Sequence, residues 1–392
     1  MGMAQDYHRD RSTWLLYLLL GYYAFFINVF GPITPYLKDE LALSYTMSSL
    51  LFTAFAVGIL LAGLGGHIVV QRVGRWPALW LGAFGMSGGV LLLLVGRTPM
   101  FTIGASFCMG LLGSLILVIV PSTLSDLHRE FRAIALSEAN LASSLISTSA
   151  PLLVGWLAPL PDGWRLVLAT AAFAPFLLRI GFRRVTLPPS TSCQGDAPTA
   201  RRSLPSLFWV FWVGLVLAVS AEFCMIYWSA NYFESSLRMP KANAAQSVSI
   251  FLAAMIVGRL AGSRLVQRVS PRRVIIVSVL VGGIGFLLFW TANAAILGLA
   301  GLFVTGLGVA NLYPLLLSLA MGVASDNAVQ ASARTTLASG TAILALPLVL
   351  GRLADMAGIR PAYGIVGILF IGIFLIMLVT APRRACTDPV QS

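Results

Sequence analysis

Twelve apolar stretches, separated by short polar breaks, run the length of the chain. A helix needs about 20 apolar residues to cross a hydrocarbon core. The pattern predicts spans over 13–36, 45–70, 77–96, 99–125, 133–158 and 164–182. Six more follow at 205–233, 242–266, 273–292, 294–321, 330–353 and 360–381. Between the sets lies 183–204, with Arg183, Arg184, Pro188, Pro189, Gly195, Arg201 and Arg202 and no helical apolar period. It reads as a linker. The expected organisation is a six-helix bundle over 1–182, a cytoplasmic linker, and a second bundle over 205–392. The first apolar run, from Trp14, is too long for a signal peptide and lacks a small-residue cleavage site, so it reads as span 1.

Composition strengthens the membrane reading. Of 392 residues, 58% are hydrophobic and 10% charged, against about 25% charged in soluble domains. Mean hydropathy is +0.88. The formal charge of +12 does not form a nucleic-acid face, because Lys and Arg sit in short loops. They concentrate after even-numbered spans: Arg72 and Arg75, Arg129 and Arg132, the linker, Arg264, Arg268, Arg272 and Arg273, and Arg334. By the positive-inside rule, both termini and the linker are expected to be cytoplasmic, in a cell membrane such as a bacterial inner membrane. The four Cys and three His are scattered without ligand spacing. No metal site or cofactor is expected, and no nucleophile and base are assembled, so an enzyme is not expected.

The chain repeats itself. Val70-Gln71-Arg72-Val73 recurs as Val266-Gln267-Arg268-Val269, an offset of 196. At that offset Gly66 matches Gly262, Gly110 matches Gly306, and Pro151–Ala158 matches Pro347–Ala354. A slightly different offset pairs Ser125-Asp126 with Ser325-Asp326. The halves are therefore parallel repeats about an axis along the membrane normal. Such repeats place a substrate site between them near the midplane and let one half rock against the other.

These residues resemble the major facilitator superfamily over essentially the whole chain. The most specific part is the loop from Gly66 through Gln71, Arg72 and Gly74 to Arg75, with its copy from Gly258 to Arg268. The family's usual acidic residue is replaced by Gln71 and Gln267; Asp126 and Asp326 could supply negative charge at the same surface. The resemblance implies an all-α membrane protein of 12 transmembrane helices, two six-helix bundles related by pseudo-two-fold symmetry. It implies cytoplasmic gating by Gln71, Arg72, Arg75, Asp126, Gln267, Arg268, Asp326 and Arg334; the alternative is that the arginines only set topology. The antiporter Arg of span 4 is absent, with Ser106 at that position, and the span-5 antiporter motif is degraded to Ala150-Pro151-Leu152-Leu153-Val154-Gly155. The run Gly306–Pro314 is similar to span 10 of fucose-permease-like sugar transporters.

Ionisable groups within spans are functional candidates by default. Glu222 lies near the middle of span 7, where a carboxylate can bind and release a proton as its access to water changes. It shares a helical face with Met225 and Ser229. Glu138, one turn inside span 5, is a second proton-coupling candidate or half of an interfacial salt bridge. Beyond it runs a polar stripe with Asn140, Ser144 and Thr148, which suits a cavity wall or small-residue helix packing. Asn28 and Phe25 on span 1 and Asn311 on span 10 complete the substrate-binding candidates. The family's architecture puts spans 1, 4, 7 and 10 around the cavity. Arg259 is expected to snorkel to the cytoplasmic end of span 8. Arg352 and Asp355 are expected to pair at the outer end of span 11.

The expected function is secondary transport: a monomer in the bilayer moving a small organic solute, sugar-like or an organic anion, coupled to H⁺. The competing readings are proton-driven export of amphipathic drugs or lipids, and a membrane sensor or scaffold.

Overall fold

The computed structural model describes residues 8–186, 204–324 and 328–380. It is helical in all twelve predicted spans. The first half comprises α1 (Arg11–Glu40), α2 (Tyr45–Val73), α3 (Arg75–Val95), α4 (Pro99–Leu127), α5 (Arg132–Leu157), α6 (Gly163–Ala172) and α7 (Ala174–Gly181). The second comprises α8 (Ser206–Leu237), α9 (Lys241–Leu265), α10 (Pro271–Thr291), α11 (Ala295–Val309), α12 (Leu312–Val323), α13 (Ala328–Ala357), α14 (Ile359–Ala362) and α15 (Gly364–Val379). Three spans are broken: the sixth into α6 and α7, the tenth into α11 and α12, and the twelfth into α14 and α15.

Local chemistry sets the boundaries. Asp10 caps α1 by accepting from Thr13 N–H, and Ser44 caps α2 through Met47 N–H. Pro99 and Pro271 open α4 and α10, where a missing N–H costs nothing. Gly74 turns α2 into α3 at φ +88°, a conformation that disfavours any other residue.

Among the described residues, eleven spans are long and apolar enough to cross a membrane by their own composition. The exception is α5, which carries Glu138, Asn140 and a series of serines. It is sheltered by α1 on one side and α9 on another, so its polar stripe need not meet lipid.

The repeat seen in the sequence is also a repeat of contacts. Within the first half α1 packs on α5, α2 on α4, and α3 on α4. The second half reproduces these pairs as α8 on α13, α9 on α11, and α10 on α11. Even single contacts correspond. A Cβ on Gly110 would lie 2.2 Å from Phe55 O, and one on Gly306, 2.7 Å from Phe251 O. Each glycine lets two helix backbones touch at the same place in its own half.

The halves meet through α1 on α8, α2 on α13 and α5 on α9. Gly31 lets the backbones of α1 and α8 approach closely, since a Cβ there would lie 2.1 Å from Ile226 O. The end of the molecule away from the arginine-rich turns (the basic end) is closed. There Phe52 stacks on Tyr227 at 4.1 Å and 11°, and Trp228 Nε1 donates to Pro347 O at 3.1 Å. Asp355 does not pair with Arg352 as the sequence suggests. Its two carboxylate oxygens accept the N–H groups of Tyr45 and Thr46 at 2.8 Å each. The first turn of α2 exposes unpaired N–H groups and a positive dipole end, a stronger attraction for a carboxylate than an exposed guanidinium.

Candidate functional site

Two of the cavities between the halves lie at mid-depth and toward the basic end. The smaller, about 150 Å³, is polar. Its walls are Ala24 and Asn28 of α1; Asn140, Ser143, Ser144, Ser147 and Thr148 of α5; Glu222, Phe223 and Ile226 of α8; and Leu252, Met255 and Arg259 of α9. The larger, about 540 Å³, is mostly apolar and includes Tyr23, Ile27, Leu60, Ser114, Tyr313 and Gly340. Phe223 borders both.

The α5 wall follows from helical spacing: residues 140, 144, 147 and 148 fall on one face. Its groups are satisfied within the helix. Asn140 Nδ2 donates to Leu136 O at 2.9 Å, Ser144 Oγ to Asn140 O at 2.8 Å, Ser147 Oγ to Ser144 O at 3.0 Å, and Thr148 Oγ1 to Ser144 O at 2.8 Å. Across the cavity Asn28 Nδ2 donates to Ala24 O at 2.9 Å. These are short-range bonds to the residues' own helices, so a ligand can take them over without disturbing the fold. Each amide nitrogen also has a second proton to give.

Glu222 and Arg259 are the charged groups of the cavity. Their side chains are 16% and 45% exposed, and Arg259 Nη2 stands 3.7 Å from Glu222 Oε1. That is an ion pair but too long for a hydrogen bond. Arg259 Nη1 also reaches Ser144 Oγ at 3.3 Å, joining the two halves. The sequence placed Arg259 at the membrane interface; the structure turns it into the cavity. The missed signal is that Arg259 sits some two turns from the basic end of α9, on a helix packed directly against both α5 and α8.

Of the predicted residues, Glu222, Asn28, Asn140, Ser144 and Thr148 come together here. Phe25, Met225 and Ser229 do not line this cavity: all three are buried in helix packing. The wall of α8 is formed by Glu222, Phe223 and Ile226, a face rotated away from the one carrying Met225 and Ser229. Asn311 stands at the break between α11 and α12, where its Nδ2 donates to Gly258 O at 2.8 Å and ties the broken span to α9. Glu138 lies toward the basic end of α5, bound by Arg9 at 2.5 and 2.8 Å and by Tyr17 Oη at 3.2 Å.

At the basic surface, Arg75 and Asp126 form an ion pair at 2.6 Å between the start of α3 and the end of α4. Gln71, Arg72, Gln267, Arg268 and Arg334 are exposed. Asp326 lies outside the described residues.

The family model for the Major Facilitator Superfamily matches residues 16–268 and 232–389. The chain belongs to the Major Facilitator Superfamily. It is an integral membrane protein with the all-helical, two-bundle fold of that family. An uncharacterized MFS-type transporter of Yersinia pestis is 28% identical over 181 residues, 46% of each chain. The match thus spans about half the length of that curated relative. Among solved structures, a bacterial homologue of the human lysosomal transporter Spinster, inward-facing and occupied, superposes with TM-score 0.81 at 14% identity. That superposition covers 95% of this chain and 97% of the other. The nucleoside transporter NupG gives TM-score 0.77 at 12% identity, covering 94% and 100%. A D-xylose-proton symporter gives 0.74 at 18% identity, covering 95% and 97%. At these identities the likeness concerns the fold.

Proposed function

We propose that this protein is a proton-coupled secondary transporter of a small organic solute, working by alternating access between halves 1–182 and 205–392. The observation that carries the reading is Glu222, a carboxylate at the middle of α8 and on the wall of a cavity between the halves. A buried charge in a membrane protein is costly to hold without purpose. A carboxylate that alternates between two aqueous access routes can carry one proton per cycle. The membership of the family and the symporter fold of a structural relative support the same reading. The basic end is assigned to the cytoplasm by its arginines, which makes the state described here open inward. Arg75 and Asp126 then hold the α2–α3 turn, as gating groups of the first half.

Reconstituted protein in liposomes with an imposed pH gradient tests this. Uptake of a transported solute should follow the gradient, and Glu222→Gln should abolish that dependence. Unchanged gradient-driven uptake in Glu222→Gln sinks the assignment.

One observation favours a second reading. The 540 Å³ cavity is mostly apolar, which suits export of an amphipathic compound. Efflux of a lipophilic cationic dye from expressing cells, well above a vector control, would support it over solute uptake.

A further inference from the structure

The proposed coupling leaves Arg259 without a role. A carboxylate alone suffices to carry a proton, yet a guanidinium stands 3.7 Å from it, in the same cavity and nearly half exposed. We infer that Arg259 is the anchor for an anionic substrate, and that the protein carries a monoanion together with one proton in an electroneutral step. This rests on the proton-coupled reading of Glu222 given above.

The argument is one of charge in a place where net charge is expensive. With Glu222 ionised and Arg259 charged, the empty cavity is neutral and can reorient. A proton alone on Glu222 would leave Arg259 as an unpaired buried cation. An anion alone would leave a net negative site. Either half-loaded state carries an unpaired charge through the closed intermediate, where desolvation strongly disfavours it. A proton on Glu222 and a monoanion on Arg259 restore neutrality. The two passengers are therefore obliged to travel together, and the coupling is a consequence of electrostatics with no added moving part.

The geometry agrees. The Glu222–Arg259 separation lacks a direct hydrogen bond, so guanidinium donors remain for a carboxylate or phosphate, which Arg can hold in bidentate fashion. The facing wall supplies neutral donors. Ser144 and Thr148 can turn their hydroxyls from their own helix to a ligand, and Asn28 and Asn140 each keep a second amide proton. Other charged groups on the helices around α8 lie at the ends: Arg11, Lys38, Asp39 and Glu40 on α1; Lys241 and Arg264 on α9; Arg334, Arg352 and Asp355 on α13; and Arg360 on α14. On α5, Glu138 is held by Arg9. Tyr23 and Tyr313 border the neighbouring cavity, and Tyr363 donates to Cys224 O. At the depth of Glu222, its charged partner is Arg259.

The test uses the full chain in liposomes with radiolabelled lactate and gluconate as monoanions, succinate as a dianion and xylose as a neutral solute. Binding is followed in parallel by thermal melting in detergent. Expected results are accumulation of a monoanion driven by an inside-alkaline gradient and no response to a potassium–valinomycin potential. Arg259→Gln should weaken monoanion binding about thirtyfold or more, the usual cost of removing one member of a desolvated charge contact. Glu222→Gln should keep anion counterflow yet lose accumulation, because the neutral amide imitates the protonated state. That variant also shows that the protein folds.

Gradient-driven uptake of xylose with no monoanion transport overturns the anion site and leaves the proton-coupled carrier standing. Monoanion uptake that ignores the pH gradient overturns the coupled carrier and leaves Arg259 as an anion site. A response to membrane potential overturns the electroneutral step. Absence of melting shifts with both monoanions, or Arg259→Gln with unaltered affinity, overturns the inference.

Discussion

Asp10 shows how much a single side chain can do outside the bilayer. It accepts Thr13 N–H at 2.8 Å and Thr13 Oγ1 at 2.6 Å, and the same hydroxyl lies 2.7 Å from His128 Nε2. Burial pushes the Asp10 carboxyl up, but the hydrogen bonds from Thr13 and the nearby His128 together hold it below the ordinary carboxylate value. A depressed carboxylate stabilises the fold at pH values above its unfolded pKa. That contribution is lost as pH falls through the lower, folded value. Asp10→Ala should therefore cost about 1 kcal/mol at pH 7, and the melting temperatures of variant and parent should converge in acid. The same scale shows what sequence could and could not reveal about the cavity. Glu222 was legible because an acidic residue in mid-span has few innocent explanations. Arg259 was not, because depth along a helix is easy to count, whereas the direction a long side chain takes is decided by its neighbours. Asn311 has the right depth and chemistry for a binding residue, but a break beside it leaves polar backbone to be satisfied, and its amide is used there.

Whole helices were the most readable level, because a bilayer demands a long apolar run and punishes exceptions. The exceptions carry the information. The polar stripe of α5 forms one wall of the smaller cavity, and the broken tenth span is pinned to α9 by one amide. Where α11 gives way to α12, Asn311 donates to Gly258 O, and a Cβ on Gly262 would lie 2.1 Å from Asn311 Oδ1. Breaks at Ala310 and Tyr363 were not visible in hydropathy, which is blind to small departures from helical hydrogen bonding. The packing at the break makes a sharp prediction. Gly262→Ala should lower stability by about 1–3 kcal/mol through overpacking. Adding Asn311→Ala should recover part of that loss, since it removes the atom in the way. Strict additivity of the two in a thermal-melting double-mutant cycle would show that they do not touch.

At the level of the whole molecule, the state described is held by its closed end. Gly31 against Ile226, Phe52 on Tyr227, and the Asp355 carboxylate on the start of α2 all join one half to the other. Removing Asp355 should release charged hydrogen bonds worth about 1.5–3 kcal/mol each and shift the population toward opening at that end. A single cysteine in place of buried Ser49, in a chain lacking Cys108, Cys193, Cys224 and Cys386, should react faster with a water-soluble maleimide once Asp355 is alanine. Equal rates would show that the contact does not hold the end shut. Gly31→Val should act in the same direction, since it forbids the close approach altogether. The Asp355 contact is also chemically one-sided. Its acceptor is a side chain, but its donors are peptide N–H groups, which every residue except proline possesses. Drift at positions 45 and 46 therefore leaves these two backbone hydrogen bonds intact, and their inheritance rests on a single codon. Selection for second-site revertants of an Asp355 lesion should accordingly return changes elsewhere along the seam between the halves, where Tyr45 Oη already meets Ser235 Oγ at 3.2 Å.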